Sequence, residues 1–559
     1  MIKPETVGIF SFTNLVDHEP LELEYLYTLF RSCGFRAFIY DRRYDLTSLK
    51  RKLRQTRPDV VCITGYITQQ ELMIKYCDII KKYDRRIKII LGGSNVELNY
   101  ENYFRSKADY LYHLSGLGSM AELVKRIRDS RPVDDIKGIC FRKNGKWKVN
   151  PKVTESPQDL PRPDRSYFYR NKDKFRYLCF RPLALVKNSF SCPRKCSFCF
   201  CTNRNGGRYA CRRVEDLVDE IASLDVPAIH ITDDDFLISR EYLTEFVRLI
   251  RERGIHKKFL IYGRADFIAH NEDIIKELAS VGLALVMVGL ESPENDELDS
   301  YNKHTTLNDN LECVRILHEN NIFCAGLFIV HQGMTKADFR RLYKWIAEKD
   351  IIPTVSVFTP MQGSAVYKEY EDRLIDRNVT KQDLFHCLLK PEHMSVKSFT
   401  LQYYKLSLRL AWKNRHSPLY KDNLECVRIL HENNIFCAGL FIVHQGMTKA
   451  DFRRLYKWIA EKDIIPTVSV FTPMKGSAVY KEYEDRLIDR DVTKQDLFHC
   501  LLKPEHMSVR SFTLQYYKLS LRLAWKNRHS PLYKDNQYFR STLFIIKTLL
   551  IKLKRRFSF

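Results

Sequence analysis

Two periodicities alternate along the chain. Short continuous apolar runs, the mark of strands covered on both faces, recur between stretches with apolar residues three and four apart. In the first 130 residues the runs fall at 7–10, 37–40, 60–65 and 87–93. Helical spacing fills 21–30, 46–54, 69–82 and 120–128. Such βα alternation predicts a parallel sheet with helices on both sides. Ligands of these sheets bind beyond the carboxyl ends of the strands. That rule gathers Ser11, Thr13, Thr64, Gly65, Gly92, Gly93 and Ser94 around one crevice.

A hairpin follows at 138–149, with Asn144-Gly145 at its turn. A linker with Pro and Asp runs from 151 to 170. From residue 183 the alternation resumes, with strand candidates at 183–187, 228–232, 259–262, 284–289, 323–330 and 354–358. Helices at 214–223, 240–253 and 311–320 lie between them. Six βα units predict an open, partial barrel with its chemistry at the carboxyl ends of the strands. The expected class is therefore α/β. A Rossmann-like (flavodoxin-like) domain covers 1–135, a hairpin and linker 136–178, a partial (β/α)6 TIM-type barrel 179–375 and a helical region 376–421.

The rest of the chain is mostly a repeat. Residues 309–421 recur as 422–534, and only Gln362/Lys475, Asn378/Asp491 and Lys397/Arg510 differ. Solenoid repeats are shorter, about 20–50 residues, and drift in sequence. This is one large block in tandem. The first copy is contiguous with the barrel and is expected to complete it; the alternative loops the first copy out and lets the second close the barrel.

Composition narrows the class. The chain has 559 residues, 45% of them hydrophobic, enough for sizeable cores. No apolar stretch of about 18 residues predicts a spanning helix, and no leader segment is evident. Sixteen cysteines without a secretion signal point to free thiols in a reducing cytoplasm. The net charge is +24, and six of the cations, Arg540, Lys547, Lys552, Lys554, Arg555 and Arg556, lie in an acid-free, apolar segment, 537–559, of the basic tail 535–559. Such a tail either rests on an anionic membrane or docks as a last helix with a solvated end. No nucleic-acid motif accompanies the charge.

The most specific chemistry is Cys192, Cys196 and Cys199, spaced C-x3-C-x2-C, just after the strand run at 183–187. Three thiolates can hold a 4Fe–4S cube and leave one iron open to a small molecule. A zinc site needs a fourth ligand, for which Cys201 is available but cramped. Cys201 and Cys211 otherwise read as buried thiols.

On these cysteines, with the aromatic Phe198, the chain resembles the radical S-adenosylmethionine (SAM) superfamily. Over roughly residues 5–375 it is similar to members with an N-terminal cobalamin-binding domain: cobalamin-dependent methyltransferases and relatives of anaerobic magnesium-protoporphyrin ester cyclase. The resemblance implies that the cysteines hold the cluster and that the Phe198 backbone meets adenine. It implies that SAM, chelated at the open iron, is split into methionine and a 5′-deoxyadenosyl radical. Asp233, Asp234 and Asp235 stand where the family accepts the SAM amino group, with a helix cap as the plain alternative. Arg264 is a partner for the SAM carboxylate or a structural ion pair. Gly289, Glu291 and Ser292 match the ribose-binding element, Lys303 a frequent family lysine, and 359–364 the turn after the sixth strand. Thr64, Gly65, Gly92 and Gly93 are carried over to cobalamin. The resemblance also implies an electron donor such as flavodoxin or ferredoxin and a small-molecule or peptide substrate.

There are departures. His331 (His444 in the repeat) stands in place of the usual turn after the fifth strand, as a pocket residue or a core one. The His motif of His-ligated cobalamin proteins is absent, since Asp17 and His18 are adjacent with no matching Gly. The usual acidic glycine stretch is here Ser115-Gly116-Leu117-Gly118. The expected reaction is methyl transfer to an unactivated carbon. The rivals are a radical rearrangement or cyclisation, and a non-catalytic corrinoid- or SAM-binding module disabled by the repeat.

Overall fold

The structure, a computed structural model, describes residues 2–3, 16–45, 47–414, 417, 438–461, 465–473, 480, 483–489 and 499–526. The chain divides into two compact units, Met1–Tyr420 and Lys421–Phe559.

The first unit opens with a seven-stranded sheet. Its order is Tyr40–Asp41, Ile2–Lys3, Val60–Thr64, Lys88–Gly92, Tyr110–Tyr112, Ile139–Lys143, Lys146–Val149. The first five strands are parallel and the last two antiparallel. Alternate residues feed opposite faces: Ile63, Ile89 and Leu91 pack with Met73, Cys77 and Ile80, while Cys62 and Ile90 pack with Leu23, Leu123 and Val124. The hairpin read as following this domain is its antiparallel edge, with Phe141 opposite Tyr110. Asn144 and Gly145 both have positive φ (52° and 76°), which a two-residue type I′ turn requires. The expected strand 7–10, with Ser11 and Thr13, lies outside the described residues. The helix expected at 46–54 is Leu49–Thr56, because Ser48 caps it by accepting from the Arg51 N–H.

The second sheet has six parallel strands, side by side in chain order: Leu183–Val186, Ala228–Ile231, Lys258–Arg264, Leu283–Glu291, Phe323–Val330 and Ile352–Val357. One face, with Ile229, Ile231, Ile261, Val286 and Val288, is covered by Leu217, Ile221, Phe246, Ile250 and Leu317 from the connecting helices. The other face carries Leu183, Ala228, Leu260, Leu285, Met287 and Ala325. Capping boxes start two of the helices, Thr306 with Asp309 and Thr335 with Asp338. The carboxyl ends of the strands deliver 233–235, Arg264 and Glu291 to one rim. The fourth strand runs past the expected 284–289 to Glu291, which closes it at a positive φ of 56°.

The first copy of the repeat supplies the last two strands of this sheet. Within the second unit, Ala438–Val443 and Ile465–Val470 form a two-stranded parallel sheet in the register of their counterparts. Val443, Phe452, Ile459, Phe512 and Leu519 give it a small core of its own. The basic tail lies outside the described residues. No described helix is long and apolar enough to cross a membrane.

Candidate functional site

The cysteine loop is framed before it is filled. Ser189–Phe190 pairs with Ala210–Cys211 and closes the loop at its base. Asp233 accepts from the Asn188 N–H (2.9 Å), the Asn188 amide (3.0 Å) and the Ser189 N–H (2.8 Å). These donors turn the chain out of the first strand and need a buried acceptor. Asp233 is therefore a structural anchor, a correction to its expected part in ligand binding. Further along, Ser197 donates to the Tyr301 carbonyl (3.0 Å) and accepts from the Val366 N–H (3.2 Å). Phe198 sets its ring edge-on to Tyr301, 5.5 Å between centroids. The aromatic thus pins the loop to the rim.

The three thiols are free. Arg264 Nη1 donates to Cys196 Sγ at 3.6 Å, and the Cys201 N–H donates to Cys199 Sγ at 3.4 Å. Burial pushes the Cys192 thiol up to about 12 and raises Cys196 as well. Cys199 is held below the usual thiol range by hydrogen bonds from the Cys201 side chain and backbone. A bound metal must displace the remaining protons. Among the described residues, no three His, Cys, Asp or Glu side chains converge on a single-ion site. A cube makes a different demand, since its three thiolates each take a separate iron. Three free thiols on one braced loop, two of them already accepting N–H donors, fit a cluster. Cys201 sits beside Cys199 as its partner, and Cys211 is exposed rather than buried.

Around this loop the rim is polar. Asp234 and Asp235 each keep one buried carboxylate oxygen without a hydrogen-bond donor. Asp235 accepts from the Leu237 N–H (3.1 Å), Arg194 Nε lies 3.5 Å from its free oxygen, and burial pushes its carboxyl up to about 7. These two acids, not Asp233, can receive an ammonium. Arg264 is engaged by Asp266 (2.8 Å), the Lys303 carbonyl, Thr305 (3.1 Å) and Cys196. The guanidinium braces the cysteine loop. Glu291 pairs with Lys303 at 2.7 Å, both buried. A side chain at Gly289 would run into the Glu291 carboxylate and the Lys303 ammonium, so the pair would have to shift to admit one. Ser292 accepts from the Glu294 N–H (3.1 Å) and fixes the turn that follows. His331 accepts at Nδ1 from the Gly333 N–H (3.2 Å), and its Nε2 lies 3.0 Å from a Glu297 carboxylate oxygen.

The crevice of the first sheet lies at Thr64, Gly65, Gly92 and Gly93, the ends of adjacent strands. Gly93 has a φ of 96°, and a Cβ there would meet Thr64 Oγ1 at 2.5 Å. Glycine at 93 lets this backbone pack closely against Thr64 and Gly65 of the neighbouring strand end. Of the described histidines of this domain, His18 packs against Tyr177 and His230, and His113 is buried against Tyr100.

Two acids that the sequence did not single out join the crevice to the cysteine loop. Buried Glu97 accepts from Ser115 (2.5 Å), the Asn205 N–H (2.6 Å), Lys152 (3.1 Å) and Arg204 (3.4 Å). Glu155 accepts from the Gly116 and Gly118 N–H groups (2.7 and 2.6 Å). It supplies from the linker a carboxylate that the Ser115–Gly118 stretch lacks. Glu97 lies in the first turn of a helix, where acids are ordinary. Its sequence position carries no signal.

Comparison with known proteins gives two domain matches. The Radical SAM superfamily model matches residues 189–346, and the B12 binding domain model matches 12–124. Hopanoid C-3 methylase of Methylococcus capsulatus is 23% identical over 79% of this chain and 87% of its own length. The anaerobic magnesium-protoporphyrin IX monomethyl ester cyclase of Cereibacter sphaeroides is 24% identical over 67% and 64%. Among solved structures, the cobalamin-dependent SAM radical enzyme OxsB, with aqua-cobalamin and SAM bound, superposes with a TM-score of 0.54 at 13% identity, over 98% of this chain and 83% of its own. The radical SAM methyltransferase TsrM of Kitasatospora setae, with cobalamin and a [4Fe-4S] cluster, gives 0.52 at 19% identity over 66% and 77%.

Proposed function

The chain is a radical SAM protein with a B12-binding domain at its N-terminus, and on that premise we propose that it transfers a methyl group from SAM to an unactivated carbon of a small-molecule or peptide substrate. When bound, the cluster supplies the electron that cleaves SAM, and cobalamin supplies a methyl carrier. The six-stranded sheet is read as a partial (β/α)6 barrel.

The chain's own residues have these parts. Cys192, Cys196 and Cys199 hold the cluster, and Arg264 and the Cys201 N–H place donors on two of its sulfurs. Such donors favour the charged thiolate. Asp234 and Asp235 receive the SAM ammonium, and Glu291, fixed by Lys303, faces the ribose. Thr64, Gly65, Gly92 and Gly93, at the ends of adjacent strands, are the residues assigned to the corrin nucleotide. The observation that carries the reading is the contact of Glu97 with Asn205. It brings the helix that follows Gly93 against the loop that follows the cysteines, which supports reading the two cofactor sites as neighbours.

One alternative has a specific support. The cyclase of Cereibacter sphaeroides matches at about the same identity as the methylase, over less of the chain, which supports ring closure on the same cluster if no methyl group moves. Anaerobic reconstitution tests the common premise. The parent chain is expected to hold about four irons and four sulfides, and Cys196→Ala to lose most of them. Iron content indifferent to Cys196→Ala contradicts the assignment.

A further inference from the structure

We propose that Gln362 is the positioning residue that clasps the site's closing loop to the N-terminal domain, a role that the lysine found at the matching position of the repeat cannot fill. The loop in question follows the last strand of the second sheet. Asn102 Nδ2 donates to Gln362 Oε1 at 2.7 Å, and Asn99 Nδ2 donates to the Gln362 carbonyl at 3.3 Å. Behind them Asn102 also donates to Gln70 (3.1 Å) and Asn99 to Asn95 (2.9 Å), so the clasp continues a chain of amides inside the first domain. Gln362 in turn donates from Nε2 to the Tyr367 hydroxyl at 3.0 Å. The next carbonyl, of Gly363, accepts from Asn203 Nδ2 at 2.6 Å, on the stretch after the cysteines. One short loop thus ties together the cobalamin-type domain, the cysteine loop and the repeat.

The repeat itself shows that this position matters. Copies one and two differ at three places. Asn378 caps a turn by accepting from the Thr380 N–H and hydroxyl (3.0 and 2.8 Å), and the aspartate of copy two accepts equally well. Lys397 is exposed, and arginine keeps its charge. Gln362 is different. Its Oε1 is an acceptor, and a lysine has three donors and no acceptor. Lysine there confronts the Asn102 amide with a second donor and leaves the bond unmade. The difference that removes an acceptor falls on a residue whose side-chain oxygen accepts from Asn102 of the N-terminal domain.

The test is made in the full chain by converting copy one to copy two at one position at a time. Amide hydrogen exchange of segment 94–103, unique to the first domain, reads the clasp. Gln362→Lys is expected to speed exchange there at least tenfold. Asn378→Asp and Lys397→Arg leave it unchanged, and Gln362→Glu, which restores an acceptor, stays within about threefold of the parent. Parent-like protection in Gln362→Lys overturns the proposal. So does an equal effect from either control, or equal loss in the lysine and glutamate variants.

Discussion

Arg165 lies buried among three carboxylates, Glu19 at 2.8 Å, Glu220 at 2.8 Å and Glu24 at 3.4 Å, with Arg212 on the far side of Glu220 at 2.5 Å. Three acids face two guanidiniums. Burial and the Glu19 charge push the Glu24 carboxyl up to about 10, so a proton there balances the cluster. The sign follows. Folding raises this pKa, so its contribution is complete below the unfolded value near 4.5 and is lost as pH climbs toward 10. Glu24→Gln removes that dependence. Between pH 6 and 9 its stability relative to the parent should rise by on the order of 1 kcal/mol per pH unit, read from denaturant midpoints. A parallel pair of profiles refutes the shared proton. At this scale the sequence displayed what is local. The three cysteines were legible because cluster spacing is a matter of a few residues. Asp233, Arg264 and Glu97 were not, because each takes its role from partners tens of residues away. Asp233 met Asn188 and Ser189, Arg264 met Cys196, and Glu97 met Asn205.

Strand Leu283–Glu291 carries the clearest element-scale constraint. Its residue 289 lacks a side chain where Glu291 and Lys303 meet. Gly289→Ala is expected to part them. Removing one partner of a buried pair costs about 3–5 kcal/mol; displacing both is expected to cost less, about 1–3 kcal/mol, read as a shift in the unfolding midpoint, and no measurable loss means the pair re-forms beside the methyl group. The parallel strands were legible because both faces of each sheet are buried and the runs are therefore apolar throughout. The hairpin at 139–149 was seen as a hairpin, yet its place in the first sheet was not. Its turn is encoded in Asn144-Gly145, whereas its pairing with Tyr110–Tyr112 depends on an open edge that no local pattern reveals. A related detail touches the repeat. Thr306, which caps the first copy's opening helix, lies just outside the repeated block, and Leu419 stands in its place before the second. Loss of such a cap costs about 1 kcal/mol.

For the whole molecule the question is which copy closes the second sheet. Using copy two lengthens the connection after Glu291 from 31 to 144 residues. At about 0.6 kcal/mol per doubling, that costs only roughly 1.3 kcal/mol, so chain order alone is a weak preference. The residues at the cap and clasp positions of copy two, Leu419 and Lys475, push the same way. Removal of 422–534 should therefore leave the chain as soluble as before, with its iron content and SAM cleavage intact. Loss of both on that deletion means copy two is the one that completes the fold. The central claim is methyl transfer at paired cluster and cobalamin sites. Its most direct test is to incubate the anaerobically reconstituted chain with a reductant and methyl-labelled SAM, with and without hydroxocobalamin. The account predicts formation of both 5′-deoxyadenosine and S-adenosylhomocysteine, the second only when cobalamin is present. S-adenosylhomocysteine that is absent, or formed equally without cobalamin, contradicts it.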